Sequence, residues 1–362
     1  MTPTSPRTTL RQDAPAGRSV LALDIGGTKL AAGVVRDDGA VLSFRTVPTR
    51  VQEGPEAALA RLFTLGREAL RAAGADAADP ADTAGPYGSL LGCGIGCGGP
   101  LDSATGTLIA PPHLPGWLDI PIAGLARREY GLPAVLDNDG TAGAAGEWRF
   151  GAGRGTRHLV YLTVSTGIGG GVVIDGRTYR GAAGNGGEPG HITVRTGGRP
   201  CRSCGRRGCL EAYASGTSIA ERAREAVREE TAAGHWTALA EHPAEELGAA
   251  DVARAALDGD ALAVRLWRET TELLGDGLTS IVNLYEPEVL VLGGGVTRSG
   301  DQLLLPVRES VARQAMAPAA AACRVVLATG GDRAGVLGAA AIAFERLTAG
   351  RDSAEAAVPA PL

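Results

Sequence analysis

Apolar and polar positions fall into blocks whose spacing predicts alternating strands and helices. Residues 20–24 are a short apolar run that reads as a buried strand, residues 30–35 as a second and 41–47 as a third. Ile25-Gly26-Gly27-Thr28-Lys29 separates the first two as a tight turn, and Asp37-Asp38-Gly39 is a hairpin signal before the third. Apolar residues at 58, 59, 62, 63, 65, 69, 70 and 73 have helical spacing, so 56–73 is expected to be a helix. Residues 74–88 are rich in Ala, Asp, Pro and Gly and predict a loose connection. A strand over 90–97 runs into Gly98-Gly99-Pro100. A helix over 120–130, a strand over 133–136 that delivers Asp137-Asn138-Asp139, and a helix over 141–150 follow.

The pattern then recurs. Residues 158–164 predict a strand, Ser165-Thr166-Gly167-Ile168-Gly169-Gly170-Gly171 a glycine-rich turn, 172–174 a strand, Asp175-Gly176 a hairpin turn and 177–179 a further strand. This is the order of residues 20–47 again, and internal duplication carries more weight than either loop alone. Glycines let backbone approach a ligand closely, and N–H and hydroxyl groups in such turns can face phosphate oxygens. Two such turns across a cleft suit the two ends of a polyphosphate. Later blocks predict helices over 212–228, 251–257 and 261–284, a strand over 288–292 ending in Gly293-Gly294-Gly295-Val296, a strand over 324–328 and an Ala-rich helix over 334–347.

Composition narrows the class. The chain has 362 residues, 44% hydrophobic and 21% charged, which is the balance of a globular protein of one large or two ordinary domains. A net charge of -5 gives no support for nucleic-acid or anionic-membrane binding. No apolar run approaches the roughly 20 residues of a membrane span, and the N-terminus lacks the apolar core of a secretory signal. Six cysteines, three of them clustered, suggest a reducing cytoplasm rather than a disulfide scaffold. Lys29 is the single lysine among 35 basic residues, and it sits in the first glycine turn.

The clustered cysteines carry chemistry of their own. His191, Cys201, Cys204 and Cys209 fall within a short stretch in which Gly205 and Gly208 supply turns. Imidazole and thiolates at such spacing suit a tetrahedral zinc ion, and a closed four-ligand site is structural. The alternative is a surface loop of free thiols. Glu188 and Glu211 flank the cluster, and their carboxylates can grip hydroxyl groups. Read from residues alone, Asn138-Asp139 after a strand is usually a turn or helix cap rather than a catalytic pair.

Taken together, Asp24-Ile25-Gly26-Gly27-Thr28-Lys29, Asn138-Asp139, Ser165 to Gly171, Glu188-Pro189-Gly190-His191, the cysteine cluster through Glu211, and Leu292-Gly293-Gly294-Gly295-Val296 occur in an order that resembles the ROK family of sugar kinases, from about residue 19 to residue 347. The resemblance implies an α/β, two-domain actin-like ATPase fold, a duplicated ribonuclease H-like unit with ATP and sugar in the interdomain cleft. It implies a small domain of 18–132 plus 333–348 and a large domain of 133–332 carrying the zinc loop, between disordered tails at 1–17 and 349–362.

It also implies roles. Asp139 resembles the catalytic base that takes the proton of a sugar hydroxyl. Gly99, Asn138, Asp139, Glu188, His191 and Glu211 resemble sugar-binding residues, with His191 offering one nitrogen to sugar and the other to zinc. Gly26, Gly27, Thr28, Lys29, Thr166 and Gly167 fall on phosphate-facing turns. Asp24 would hold Mg²⁺, and Gly293, Gly294 and Gly295 match a turn against adenosine. The expected reaction is phosphorylation of a hexose at its 6-hydroxyl by ATP, with D-glucose the leading acceptor and an N-acetylhexosamine or another hexose the alternative.

The same family contains sugar-responsive transcriptional regulators. Those carry an N-terminal helix-turn-helix segment, for which about 18 residues before the first strand are too few. The family also suggests a dimer or tetramer. Four positions depart from its pattern: two residues rather than one separate Cys201 from Cys204, Gly140-Thr141 follows Asp139, His113 stands in the sugar loop where Asn is frequent, and Ser165 opens the second turn where Gly is frequent.

Overall fold

The computed structural model describes residues 17–74 and 90–355. The apolar run after residue 18 forms β1 (Ser19–Ile25), whose Val20, Leu21, Ala22 and Leu23 are all fully buried, as an unbroken apolar strand covered on both faces must be. The chain returns antiparallel as β2 (Lys29–Arg36) and again as β3 (Val41–Pro48). Helix α1 (Gly54–Ala72) buries Ala58, Leu62, Leu65 and Ala69, its apolar stripe, on this meander. β4 (Leu90–Cys97) runs parallel to β1. A small hairpin, β5 (Leu101–Asp102) and β6 (Thr107–Leu108), and helix α2 (Ile122–Tyr130) then lead to β7 (Ala134–Asn138), parallel to β4. Trp117, fully buried beneath the loop between β6 and α2, anchors it.

Helix α3 (Asp139–Phe150) leaves this sheet and the pattern repeats as β8 (Leu159–Val164), β9 (Ile168–Ile174) and β10 (Arg177–Tyr179). A long excursion carries the cysteine loop, α4 (Glu211–Ala214), α5 (Gly216–Ala232), α6 (Ala249–Leu257) and α7 (Ala261–Tyr285). Then come β11 (Val289–Gly293), α8 (Asp301–Gln314), α9 (Ala317–Ala322), β12 (Arg324–Leu327) and α10 (Ala334–Glu355). The sheets have the orders β3-β2-β1-β4-β7 and β10-β9-β8-β11-β12. These are one order written twice, so the duplication seen in two hairpins extends to all five strands.

The halves exchange their last helices. α3 follows β7 but packs on β8 and β9, and α10 follows β12 but packs on β1 and β4. The two helices cross where a Cβ on Gly338 would stand 2.6 Å from the Ala142 carbonyl oxygen and one on Gly146 3.0 Å from the Gly338 Cα. Only glycine permits that approach.

Several expectations shift. The boundary at residue 133 puts the strand 134–138 in the second domain, whereas β7 pairs with β4 in the first sheet. Residues 168–171 are strand rather than turn: Gly171 lies against Gly140 and Thr141, and the glycines serve close packing of β9 on α3. The helix expected over 212–228 breaks at Ser215, whose hydroxyl accepts from Ser218 N at 3.2 Å and caps α5.

The last helix continues to Glu355, into the stretch expected as a tail from 349. α8 is masked in the sequence by Pro306, which lies inside it; the carbonyl of Gln302, left without its helical donor, accepts from Trp267 Nε1 at 3.2 Å. The expected N-terminal tail, but for Gly17, and the loose connection, but for Gly74, lie outside the described residues, as does the chain beyond 355. Among the described residues no helix is long and apolar enough to cross a membrane.

Candidate functional site

Parallel pairing brings three strand ends to one edge. Asp24 is level with Gly96 and Gly96 with Asp137, and Ile25 is level with Cys97 and Cys97 with Asn138. The loops beyond deliver Asp24, Gly98-Gly99 and Asn138-Asp139 into the crevice outside the carboxyl ends of the strands, where open α/β sheets bind ligands. Asn138 Oδ1 accepts from Gly140 N at 2.8 Å and Thr141 N at 3.4 Å, so it does cap α3. Its amide nitrogen stays available and lies 3.6 Å from where a Cβ on Gly99 would stand.

Asp139 opens α3, and its Oδ1 accepts from Gly140 N at 2.8 Å. The residue is exposed along the cleft, yet enough protein surrounds its carboxylate to desolvate it. That desolvation raises its pKa, against the Gly140 hydrogen bond and the nearby His113. Asp24 is pushed up to about 6, first by burial, then by the charge of Asp139, with Lys29 opposing. Gly335, in the first turn of α10, abuts it: a Cβ there would fall 2.2 Å from Asp24 Oδ2.

In the sequence His113 is only a departure in the sugar loop, yet the structure sets it in this site. Its ring covers Gly98, where a Cβ would lie 2.5 Å from Cε1, and its carbonyl covers Gly27 at 2.8 Å. Burial lowers its pKa and Asp139 opposes that.

The opposite wall comes from the second half. Glu188 precedes the short 3-10 turn Pro189–His191 and shares a crevice with Gly99, Asn138, Thr141 and Asn185. Burial raises its pKa, the His191 charge opposes, and Asp139 and Glu211 add to the rise. Gly99, Asn138, Asp139, Glu188 and His191 thus converge. Glu211 behaves differently. It is buried, with Oε2 accepting from Ile168 N at 2.9 Å and Oε1 taken by the Ser203 hydroxyl and by Cys201 Sγ at 3.3 Å. It braces the second glycine turn against the cysteine loop rather than presenting free oxygens.

The two turns differ in detail. Gly26 N donates to Lys29 O at 3.1 Å and Thr49 Oγ1 to Gly26 O at 2.6 Å, which leaves Thr28 and Lys29 exposed to the cleft. In the second, Ser165 N donates to Gly167 O at 2.9 Å and Thr166 stands exposed. Beside Thr166 opens a cavity of about 670 Å³, lined among others by Gly216, Thr217, Ala220, Gly295 and Val296.

Gly216 and Thr217 open α5, and such a helix N-terminus suits an anion. The Ser215-Gly216-Thr217 start signal is present in the sequence, but nothing local ties it to the cleft. Gly293, expected to face the ligand, does not line the cavity. It ends β11 under Tyr161, with a Cβ position 2.7 Å from Oη. Gly294 makes the turn at φ 91° and Gly295 reaches the cavity.

The ligand atoms of His191, Cys201, Cys204 and Cys209 all lie within 4.8 Å of one another. Cys201 Sγ is 3.8 Å from His191 Nδ1 and Cys204 Sγ is 3.6 Å from Cys209 Sγ. Zn–S bonds of about 2.3 Å in a tetrahedron imply edges of about 3.8 Å, so the donor set has zinc spacing. The extra residue between Cys201 and Cys204 is taken up in a tight knuckle, with Cys201 N donating to Arg206 O at 2.7 Å and Gly205 N to Cys201 O at 2.9 Å. Nδ1 faces the sulfurs, which leaves Nε2 for the cleft.

The sequence model of the ROK family matches residues 20–346. The chain is similar to the glucokinase of Thermotoga maritima, 34% identical over 328 residues, 91% of this chain and 98% of that one. It resembles the crystal structure of a ROK hexokinase from Thermus thermophilus, with a TM-score of 0.74, 35% identity, and 91% and 99% of the two chains covered. It also resembles a ROK family glucokinase from Streptomyces griseus in complex with glucose and AMPPNP, with a TM-score of 0.70, 32% identity, and 90% and 99% covered. Xylose repressors match as well, over a smaller share of their own length. Fold and site together define a sugar kinase with the two-domain actin-like ATPase architecture. Within that class, the chain belongs to the ROK family.

Proposed function

We propose that the protein transfers the γ-phosphoryl group of ATP to the 6-hydroxyl of a hexose, with D-glucose as the acceptor. The observation that carries this reading is the Asp139 carboxylate, which follows Asn138 of a crevice shared with Gly99 and Glu188 and lies close enough to Asp24 and Glu188 to act on their charges. Asp139 takes the proton as the sugar oxygen attacks phosphorus. The bond from phosphorus to the bridging oxygen breaks, and ADP leaves. Phosphoryl transfer is mostly positioning and charge stabilisation, so one placed carboxylate suffices as base.

Asn138 Nδ2, Glu188 and His191 Nε2 would hold the other hydroxyls. Thr28, Lys29 and Thr166 would face the phosphates, and the cavity beyond Thr166 would take the nucleoside. Mg²⁺, when bound, neutralises phosphate charge. Asp24 fits it, since its carboxylate is costly to ionise with only Lys29 to offset the cost. A zinc ion on His191 and the three cysteines would hold the imidazole toward the sugar and make no bonds with it.

A coupled ADP-release screen over glucose, mannose, fructose, N-acetylglucosamine and N-acetylmannosamine tests the acceptor. Turnover of glucose above the others is expected. Preference for an N-acetylhexosamine would establish the alternative acceptor, and no turnover with any hexose would refute the reading. A dimer or tetramer and a cytoplasmic location, in keeping with reduced cysteines, complete the proposal; light scattering after size exclusion tests the assembly.

A further inference from the structure

Arg180 belongs to no motif, yet it touches both walls of the cleft. It follows β10 in the second half, and its carbonyl accepts from Gly186 N at 2.8 Å, which closes the base of the loop that leads into Glu188. Its side chain crosses to the first half. There Nε donates to Asp137 Oδ2 at 2.8 Å and Nη2 lies 2.7 Å from the same oxygen. Asp137 is almost wholly buried, only 3% of its side chain exposed, and its other oxygen accepts from Asn138 N at 3.0 Å.

One residue on, Asn138 caps α3, whose first residue is Asp139. The α10 helix completes the arrangement. Glu345 lies 3.7 Å from Arg180 Nη1 and accepts from Thr178 Oγ1 at 2.7 Å. Arg346 donates to Leu136 O at 2.9 Å and to Ser103 O at 3.0 Å, which pins β7 and the loop beyond Gly99 to the same helix.

We propose that Arg180 is a positioning residue, a cross-cleft latch that sets the Asp137-Asn138-Asp139 strand end in register with the Glu188 wall. A buried carboxylate with its backbone neighbour on one oxygen and a guanidinium on the other cannot rotate without losing one of them. The base two residues away is held with it. The latch transmits nothing chemical and makes no contact with the acceptor. It rests on the reading of Asp139 as base.

The test is steady-state kinetics of Arg180→Gln and Arg180→Lys with Arg67→Gln as control, whose partner Glu129 lies on the surface away from the cleft. Misplacement by about 1 Å costs on the order of a hundredfold, so Arg180→Gln should lower kcat by roughly ten- to a hundredfold. The hexose KM should rise and the ATP KM should stay put, since the nucleotide cavity does not touch the latch. Arg180→Lys should recover part of the loss, because an ammonium meets the carboxylate without the guanidinium fork.

A purely structural ion pair would instead lower Tm and leave kcat per folded enzyme unchanged, and that result overturns the proposal. If Arg180→Gln does not fold, Arg180→Lys decides: reduced kcat with unaltered ATP KM supports the latch, and wild-type kcat refutes it. A wild type that turns over no hexose removes the kinase reading and the latch with it. An active wild type beside an unimpaired Arg180→Gln removes only the latch.

Discussion

At the carboxyl ends of β1, β4 and β7 the chain places Asp24, Gly98-Gly99 and Asn138-Asp139, while at the matching ends of β8, β11 and β12 it places Ser165-Thr166, Gly294-Gly295 and Thr329-Gly330. The backbone frame is one design used twice; the charge is not duplicated. The first edge holds two carboxylates whose ionisation is opposed by burial. The second offers hydroxyls, backbone and glycines. The acids at that edge are occupied by protein: Ile168 N donates to Glu211, and Thr329 N, Gly330 N and Ala152 N donate to Glu147, each at 2.9 Å. Asp139 has a single protein hydrogen bond among the described residues. A carboxylate saturated by backbone donors braces a turn, and one left short of donors in a desolvated cleft is ready to accept a proton. Duplication supplied the cleft, and under the proposed function the difference at the strand ends divides proton transfer from phosphate holding.

The sharpest way to break that division is Asp139→Asn, which keeps shape and removes the base. General-base removal costs about 10²–10⁴ in rate, so kcat should fall by that factor while hexose affinity by calorimetry changes little. Equal loss of binding would mean that Asp139 holds sugar rather than deprotonating it.

The next largest effect belongs to the second half alone, since the first has no counterpart of the cysteine knuckle. Cys204→Ser should abolish zinc in metal analysis of the purified protein and lower Tm, because folding of such a loop is linked to metal binding. Zinc-free wild type of full stability would refute the site.

A third measurement contrasts the edges by pH. The folded pKa of Asp24, about 6, lies above its ordinary 3.8. The folded state therefore binds the proton more tightly. The stability this group contributes is full below about pH 4 and is lost as pH rises through about 6. Tm of the Mg²⁺-free protein should fall across that window, Asp24→Asn should flatten the fall, and an unchanged profile in that variant would sink the assignment. The smallest effect is expected at Thr166→Ala. Loss of one hydroxyl contact, worth about 1 kcal/mol, should raise the ATP KM about fivefold and leave the hexose KM alone.

Much of this site is legible in the chain alone. The strand-turn-strand blocks, the cysteine knuckle and the strand that ends in Asn138-Asp139 each lie within a few residues of chain, where spacing and turn chemistry report directly on geometry. His113 is visible as an unusual residue, but its place over Gly98 depends on how a loop folds back across β4. Glu211 reads as a free carboxylate because its partners, Ile168 N and the Ser203 hydroxyl, become neighbours only after folding. Gly293 reads as ligand-facing because a glycine run does not say which member packs inward.

The sequence by itself determined the duplicated meander, the His-Cys cluster with metal-ligand spacing and the identity of the carboxylates, since these follow from side-chain chemistry and short-range periodicity. Tertiary structure decided which carboxylate is held, which is freed, and how the halves are joined. Asp137 meets Arg180 across 43 positions and Glu147 meets Thr329 across 182. The exchange of α3 and α10 brings those pairs together, and it depends on close packing at Gly146 and Gly338 rather than on any local signal. Desolvation, which sets the pKa of Asp24 and Asp139, is a property of the assembled cleft and of no segment within it.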